Sequence, residues 1–217
     1  GGSITTKFIQ NGTVVAGADV TAGSYIFNGR VRAGAGSVRV EDRGGSKGGS
    51  IVGGQVMAGV RVEACRLGSV ETDRTLVGIV VEPTLAAEVT HLRQAHQRLT
   101  GEIAALQARL GITSPNDRQQ LARLIARTEA AQLDQVETQL QQLRGWLAEA
   151  EELQNGVDRT QTQMLGQLEA GRIRIRRDVY SHVQIQIGTQ IRQLTQAIPD
   201  GCEFFADDGR VRWRALD

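Results

Sequence analysis

Two abrupt changes of texture constrain this chain more than any single motif. A glycine- and valine-rich β pattern stops at Pro83, a glutamine-rich heptad pattern fills residues 84–170, and β pattern resumes at Gly171. Of the 26 glycines, 17 precede residue 84, 5 fall within 84–170 and 4 follow, so the segments differ in kind. Proline marks the joints: Pro83 where the helical pattern starts, Pro115 at its expected tip and Pro199 in the tail. Proline breaks ladders but is tolerated at helix starts, which suits all three places. The expected organisation is a β segment over 1–83, a helical hairpin inserted over 84–170, and a β segment over 171–217 that returns to the first.

Within the first segment three stretches repeat loosely: Gly12-Thr-Val-Val-Ala-Gly17, Gly29-Arg-Val-Arg-Ala-Gly34 and Gly49-Ser-Ile-Val-Gly-Gly54. Alternating runs such as Val38-Arg-Val40 and Val60-Arg-Val62 send one side chain inward and the next outward. Strands this short, with small residues at the turns, suit a parallel β-helix in which each repeat stacks on its neighbour. A β-sandwich or barrel is the alternative, and it normally needs longer strands.

In the insertion, Leu85, Val89, Leu92, His96, Leu99, Ile103, Leu106 and Leu110 alternate spacings of four and three, the signature of a coiled-coil seam. A second seam runs through Val136, Leu140, Leu143, Leu147, Ala150, Gln154, Val157, Gln161, Met164 and Leu168. Thr113-Ser-Pro-Asn-Asp117 between them combines capping residues with proline and predicts a turn and a new helix start. The return segment is the longer one, so either a short helix around Leu121–Ile125 packs at the tip or the second seam contacts another chain. His96, Gln154 and Gln161 are candidates for setting register or oligomeric state; the alternative is that they are solvated seam edges.

The order of these pieces, with Gly48-Gly-Ser-Ile-Val-Gly-Gly-Gln-Val-Met-Ala58, Leu67-Gly-Ser69 and Thr75-Leu-Val-Gly78 directly before the insertion, resembles the flagellar assembly protein A (FapA) family. Ile173-Arg-Ile-Arg-Arg-Asp-Val-Tyr180 and Val183-Gln-Ile-Gln-Ile-Gly188 after it are similar to that family's returning strands. The resemblance implies a mainly β plus α fold, a right-handed parallel β-helix (solenoid) carrying an antiparallel coiled-coil helical hairpin. It also implies a bacterial cytoplasmic protein linked to flagellar assembly or cell-pole organisation. One departure stands out: the family's tyrosine-proline-glycine-valine turn is Tyr180-Ser-His-Val183 here.

Chemistry is hard to assemble from what remains. Cys65 and Cys202 lack metal-ligand or CxxC spacing and read as buried reduced thiols. Gly44-Gly-Ser-Lys-Gly-Gly-Ser50 lacks the order and the following helix of a phosphate loop and reads as a β corner. His91, His96 and His182 do not converge with the acids, so no catalytic residue, metal set or cofactor is expected. The cationic surface is the better candidate. Arg172, Arg174 and Arg176 alternate with isoleucines, and Arg210, Arg212 and Arg214 flank Val211 and Trp213, so two outward arginine ladders are expected. They suit an anionic partner; alternatively Asp178, Asp207, Asp208 and Asp217 neutralise a solvated face.

The 25 basic residues against 24 acidic, and eight Phe, Trp and Tyr in all, argue against nucleic acid. No apolar run is long enough to span a bilayer. Starting at Gly1 without methionine, the chain is expected to be a fragment or processed form. The expected role is a non-enzymatic scaffold that binds protein partners through the arm and is open to homo-oligomerisation. The competing readings are a periplasmic adaptor-like secretion component and a polymer-forming bactofilin-like β-helix.

Overall fold

The structure, a computed structural model, describes residues 1–43, 48–71 and 74–216. It falls into two compact units, Gly1–Leu85 together with Gln163–Asp217, and Ala86–Thr162.

The first unit is built from rungs of short strands. Rung one holds β1 (Ile4–Thr6), β2 (Ile9–Gln10) and β3 (Thr13–Ala16); rung two holds β4 (Val20–Ala22) and β5 (Tyr25–Ala33). Rung three holds β6 (Val38–Val40) and β7 (Ser50–Ala58), and rung four holds β8 (Arg61–Ala64), β9 (Arg66–Leu67) and β10 (Thr75–Ile79). After the helices α1 (Pro83–Leu110), α2 (Arg118–Arg127) and α3 (Leu133–Ala170), rung five holds β11 (Arg172–Ile175) and β12 (Val183–Ile187). The tail adds β13 (Gln190–Gln193), β14 (Cys202–Asp207) and β15 (Arg210–Ala215). These strands form a seven-stranded sheet, β1-β4-β6-β8-β11-β14-β15, and an eight-stranded one with the order β13-β12-β10-β7-β5-β2, β3 and β9 joining at β5 and β7.

Successive rungs pair in parallel, and their register stacks like on like. Ile4, Val20, Val38, Val62 and Ile173 make one inward column. Ile9, Ile26, Ile51, Leu67 and Val179 make a second. Val14, Val31, Val56, Val77 and Ile185 make the third. All but Leu67 are β-branched, the shape that fits a pleated and buried surface, and the columns of both sheets merge in one core. The last rung is closed by antiparallel strands, β13 on β12 and the β14–β15 hairpin on β11, which add Leu194, Phe204 and Val211 to that core.

The register corrects the repeat read from sequence. Gly12–Gly17 and Gly29–Gly34 do align, but their third copy is Gly54-Gln-Val-Met-Ala-Gly59, not Gly49–Gly54. Rung three has a longer corner between β6 and β7, part of which, residues 44–47, lies outside the described residues; the phosphate-loop-like stretch falls largely there. Strand lengths also differ from expectation, because β5 and β7 run for nine residues each by bending from the second column into the third. The bend sits at Asn28 (φ 46°) in β5 and at Gly53 (φ 67°) and Gly54 (φ 75°) in β7. The buried Thr75 hydroxyl accepts the Gly53 N–H at 2.8 Å, so the turned backbone keeps a partner.

The helical unit packs Leu99, Ile103, Leu106 and Leu110 of α1 against Leu143 and Ala150 of α3, with Leu124 of α2 in the same cluster. The short helix expected near Leu121–Ile125 is therefore α2, and it accounts for the longer return. Asp117 caps it, accepting the N–H groups of Gln119 and Gln120. Helix α1 stops at Gly111 (φ 63°), whose N–H donates to the Ala108 carbonyl while Ile112 N–H donates to Gln107. This paired closure satisfies carbonyls left open at a helix end.

A Cβ at Gly54 would lie 2.3 Å from the Gly29 carbonyl oxygen in a left-handed backbone. Gly54→Ala is accordingly expected to cost roughly 2–4 kcal/mol in denaturant unfolding of the β unit.

Candidate interaction surface

Both arginine ladders lie on one sheet, two strands apart. In β11, Ile173 and Ile175 are buried, Arg174 is exposed and Arg172 half-buried; Arg176 is exposed just past the strand. In β15, Val211 is buried and Arg210, Arg212 and Arg214 are exposed. Trp213 departs from the expected pattern at 40% exposure. It pairs with the fully buried Phe204, but β15 is the outer strand and covers its inward side chains from one side only.

The strand between them, β14, decides what the ladders are. Register places Arg39, Glu63, Arg174, Glu203 and Arg214 in one row across five strands, and Arg61, Arg172, Phe205 and Arg212 in the next. Charge alternates along the first row. Glu63 is bound by Arg39 at 3.0 Å and Arg61 at 3.3 Å, and Glu203 accepts from Arg214 Nε at 3.1 Å. Arg174 stands between the two glutamates in register and makes no ion pair of its own among the described residues. The guanidinium groups of Arg172 in the second row and of Arg214 in the first lie 5.8 and 5.5 Å from the Phe205 ring centroid, within cation–π range. Arg172 also donates to the Gly171 carbonyl at 2.8 Å, and Arg212 pairs with Asp207 at 3.0 Å.

Of the four neutralising acids named from sequence, only Asp207 serves a ladder arginine among the described residues. Asp178 pairs with Arg66 at 3.6 Å, and Asp217 lies outside the described residues. Glu63 and Glu203 were missed because the cross-strand arginines they bind, Arg39 and Arg214, lie 24 and 11 residues away. A cue did exist in Arg61-Val-Glu63 and Glu203-Phe-Phe205, where the alternation puts the acid outward.

On the helical unit, His96 and Gln161 are half-buried. Gln154 is exposed and donates to Asp158 at 2.9 Å one turn on, while Leu153 packs against the cluster in its place. Adjacent positions 153 and 154 both border the packed side of α3, and the apolar one takes the contact, while Val157 on the expected seam is buried. Beside Leu92 and Leu153 runs an open groove of about 1240 Å³ that carries Glu88, Glu149, Glu152 and Asp158. It is acidic where the sheet surface is basic.

Neither thiol is placed for chemistry. Cys65 and Cys202 are both buried and unbridged, and burial pushes the Cys202 thiol up to about 12. Among the described residues no group of three or more His, Cys, Asp or Glu is arranged to hold a metal ion. No described helix is long and apolar enough to cross a membrane.

Residues 1–211 match the model of FapA, described as Flagellar Assembly Protein A beta solenoid domain. The chain belongs to this family. No curated protein and no solved structure matches it. Membership ties this FapA-family chain to flagellar assembly and names its stacked sheets a β solenoid. In the turn after β11, His182 takes φ 66°, a conformation that disfavours a side chain.

His182→Gly is expected to raise stability by about 0.5–1 kcal/mol, read as a higher denaturant midpoint at unchanged slope. Glu63→Gln would leave Arg39, Arg61 and Arg174 facing one another without their carboxylate. Its expected cost is about 1 kcal/mol, diminishing in high salt, whereas a purely steric role for Glu63 would be insensitive to salt.

Proposed function

We propose that this chain is a non-enzymatic cytoplasmic scaffold of flagellar assembly or cell-pole organisation. In this reading residues 1–83 and 171–217 form a right-handed parallel β-helix, and residues 84–170 form an antiparallel coiled-coil hairpin that holds protein partners. Right-handedness follows the general preference of parallel crossover connections. The acidic groove flanking Leu92 and Leu153 carries the proposal, because it combines apolar side chains with four carboxylates on a preformed helical surface. Such a groove fits an amphipathic segment with basic residues. The arginine face contributes less, since Arg39, Arg61, Arg212 and Arg214 are already engaged by Glu63, Asp207 and Glu203.

Two other readings lose support. A secretion adaptor expects lipoyl-like half-motifs beside the hairpin, but the flanking strands β10 and β11 are members of the parallel stack. A bactofilin-like polymer needs both ends free to stack, and here Phe204 and Val211 seat an antiparallel hairpin in the core at one end.

Matched removal of a heptad from α1 and from α3 tests the scaffold role. The expected outcome is loss of partner proteins in affinity capture and impaired flagellation in the host, with the β unit's thermal transition unchanged. Retention of every partner by the trimmed chain would overturn it.

A further inference from the structure

One outward face of the β unit collects rings. Of the eight Phe, Trp and Tyr in the chain, Phe8, Tyr25, Phe27 and Tyr180 stand on it, so half of a small aromatic content serves one patch. Alternation puts them there: Ile26 and Val179 point into the second column, so Tyr25, Phe27 and Tyr180 point out. Register carries one outward row from Gln10 through Phe27 and Val52 to Gly68 and Tyr180, and another from Tyr25 through Ser50 to Arg66. Large residues on rungs two and five, with Ser50 and Gly68 on the rungs between, leave a notch of about 400 Å³. Gly68 takes φ 79°, and a Cβ there would lie 3.3 Å from the Tyr180 Cβ and 2.7 Å from a Val183 methyl, which holds this position to glycine. The notch lies inside the stack, with β2 beyond Phe27 on one side and the Val179–Ile198 bridge beyond Tyr180 on the other.

Its aromatic wall is held in place by the protein itself. Phe8 stacks on Tyr25 with ring centroids 5.2 Å apart and planes 13° from parallel, and the Tyr25 hydroxyl donates to Gln10 Oε1 at 3.1 Å. Charge at the rim is uneven. Arg66 is matched by Asp178 at 3.6 Å, whereas Glu71 is exposed and makes no ion pair among the described residues.

Dimensions narrow the choice of ligand. Tyr180 lies three strand spacings from Phe27, which at about 4.8 Å each sets the two walls about 14 Å apart. Van der Waals contact with both walls takes up about 4 Å of this and leaves about 10 Å. One turn of polyproline II, three residues at about 3.1 Å each, fills that gap. Such a segment needs no ladder partner, and aromatic-lined grooves are the surfaces on which proline-rich segments dock. A saccharide would stack on the same rings but brings no cation for Glu71.

We propose that this notch binds a polyproline II segment of a partner protein, with two prolines three residues apart seated against Phe27 and Tyr180. A Lys or Arg beside them pairs with Glu71, and the segment crosses the rungs along the stack. All the residues involved belong to the β unit, so the site stands or falls apart from the acidic groove of the arm.

The test is an amide NMR titration of the full chain with the synthetic peptide Ala-Pro-Ala-Ala-Pro-Ala-Arg. Saturable shifts are expected at Phe27, Val52, Gly68 and Tyr180. Tyr180→Ala is expected to weaken binding at least about tenfold. Glu71→Lys changes an exposed side chain and leaves the fold intact; it is expected to weaken the same peptide about two- to fivefold and to favour one ending in Glu instead of Arg. Absence of saturable shifts at millimolar peptide overturns the proposal, as does equal binding of a control with both prolines replaced by alanine. So does a Glu71→Lys chain whose preference between the Arg and Glu peptides is unchanged. Shifts at the notch from maltotriose, with none from the peptide, would overturn it in favour of a sugar site.

Discussion

Stacking of β-branched side chains in parallel register is the interaction on which the rest of this molecule depends. Each inward valine or isoleucine sits directly over its counterpart in the neighbouring rung, and burying each is worth about 1.5–3 kcal/mol relative to exposure. A slip of one residue would turn a whole column outward, so register is held tightly. Much else is a consequence. Bends within rungs use residues at positive φ, Asn28 in β5 and Gly53 and Gly54 in β7, because the neighbouring rung lies one strand spacing away. Long insertions, by contrast, are tolerated between rungs, and the helical segment enters between β10 and β11 while β11 still aligns with β8.

The same register organises charge. Outward positions of the seven-stranded sheet are brought into rows by the columns behind them, and a row that reads arginine, glutamate, arginine, glutamate, arginine is left with an excess of one positive charge. Arginine ladders conspicuous in the sequence are thereby turned into a partly compensated surface with an aromatic ring held between two guanidinium groups. Opposite charges directly across strands stabilise the sheet and discourage edge pairing. Among the described residues that line the acidic groove of the helical unit, Arg159 is the only cation beside Glu88, Glu149, Glu152 and Asp158.

Much of the architecture was legible because it is written locally. Proline and the change of period marked where helix begins, the α1 seam from Val89 to Leu110 is inward as its spacing required, and Asp117 caps α2 as Thr113–Asp117 suggested. Other features escaped because they depend on distant residues. The third copy of Gly-x-Val-x-Ala-Gly at 54–59 was hidden by a long corner that broke the spacing. Leu153 took the place of Gln154 because, of two neighbouring positions at the edge of the packed side, the apolar one is buried. Glu63 and Glu203 became ladder members only when strands far apart in sequence were laid side by side.

By itself, the sequence determined the kinds of material in this chain: short β rungs with small corners, two amphipathic helices with a capped turn between them, and the family they belong to. Those rest on period, composition and local backbone preference, which act over a few residues. Tertiary structure alone decided which arginine meets which carboxylate and which inward side chains stack on one another. The reason is physical: pairing and burial are properties of neighbours in space, and 111 residues separate Val62 from the Ile173 that lies beside it.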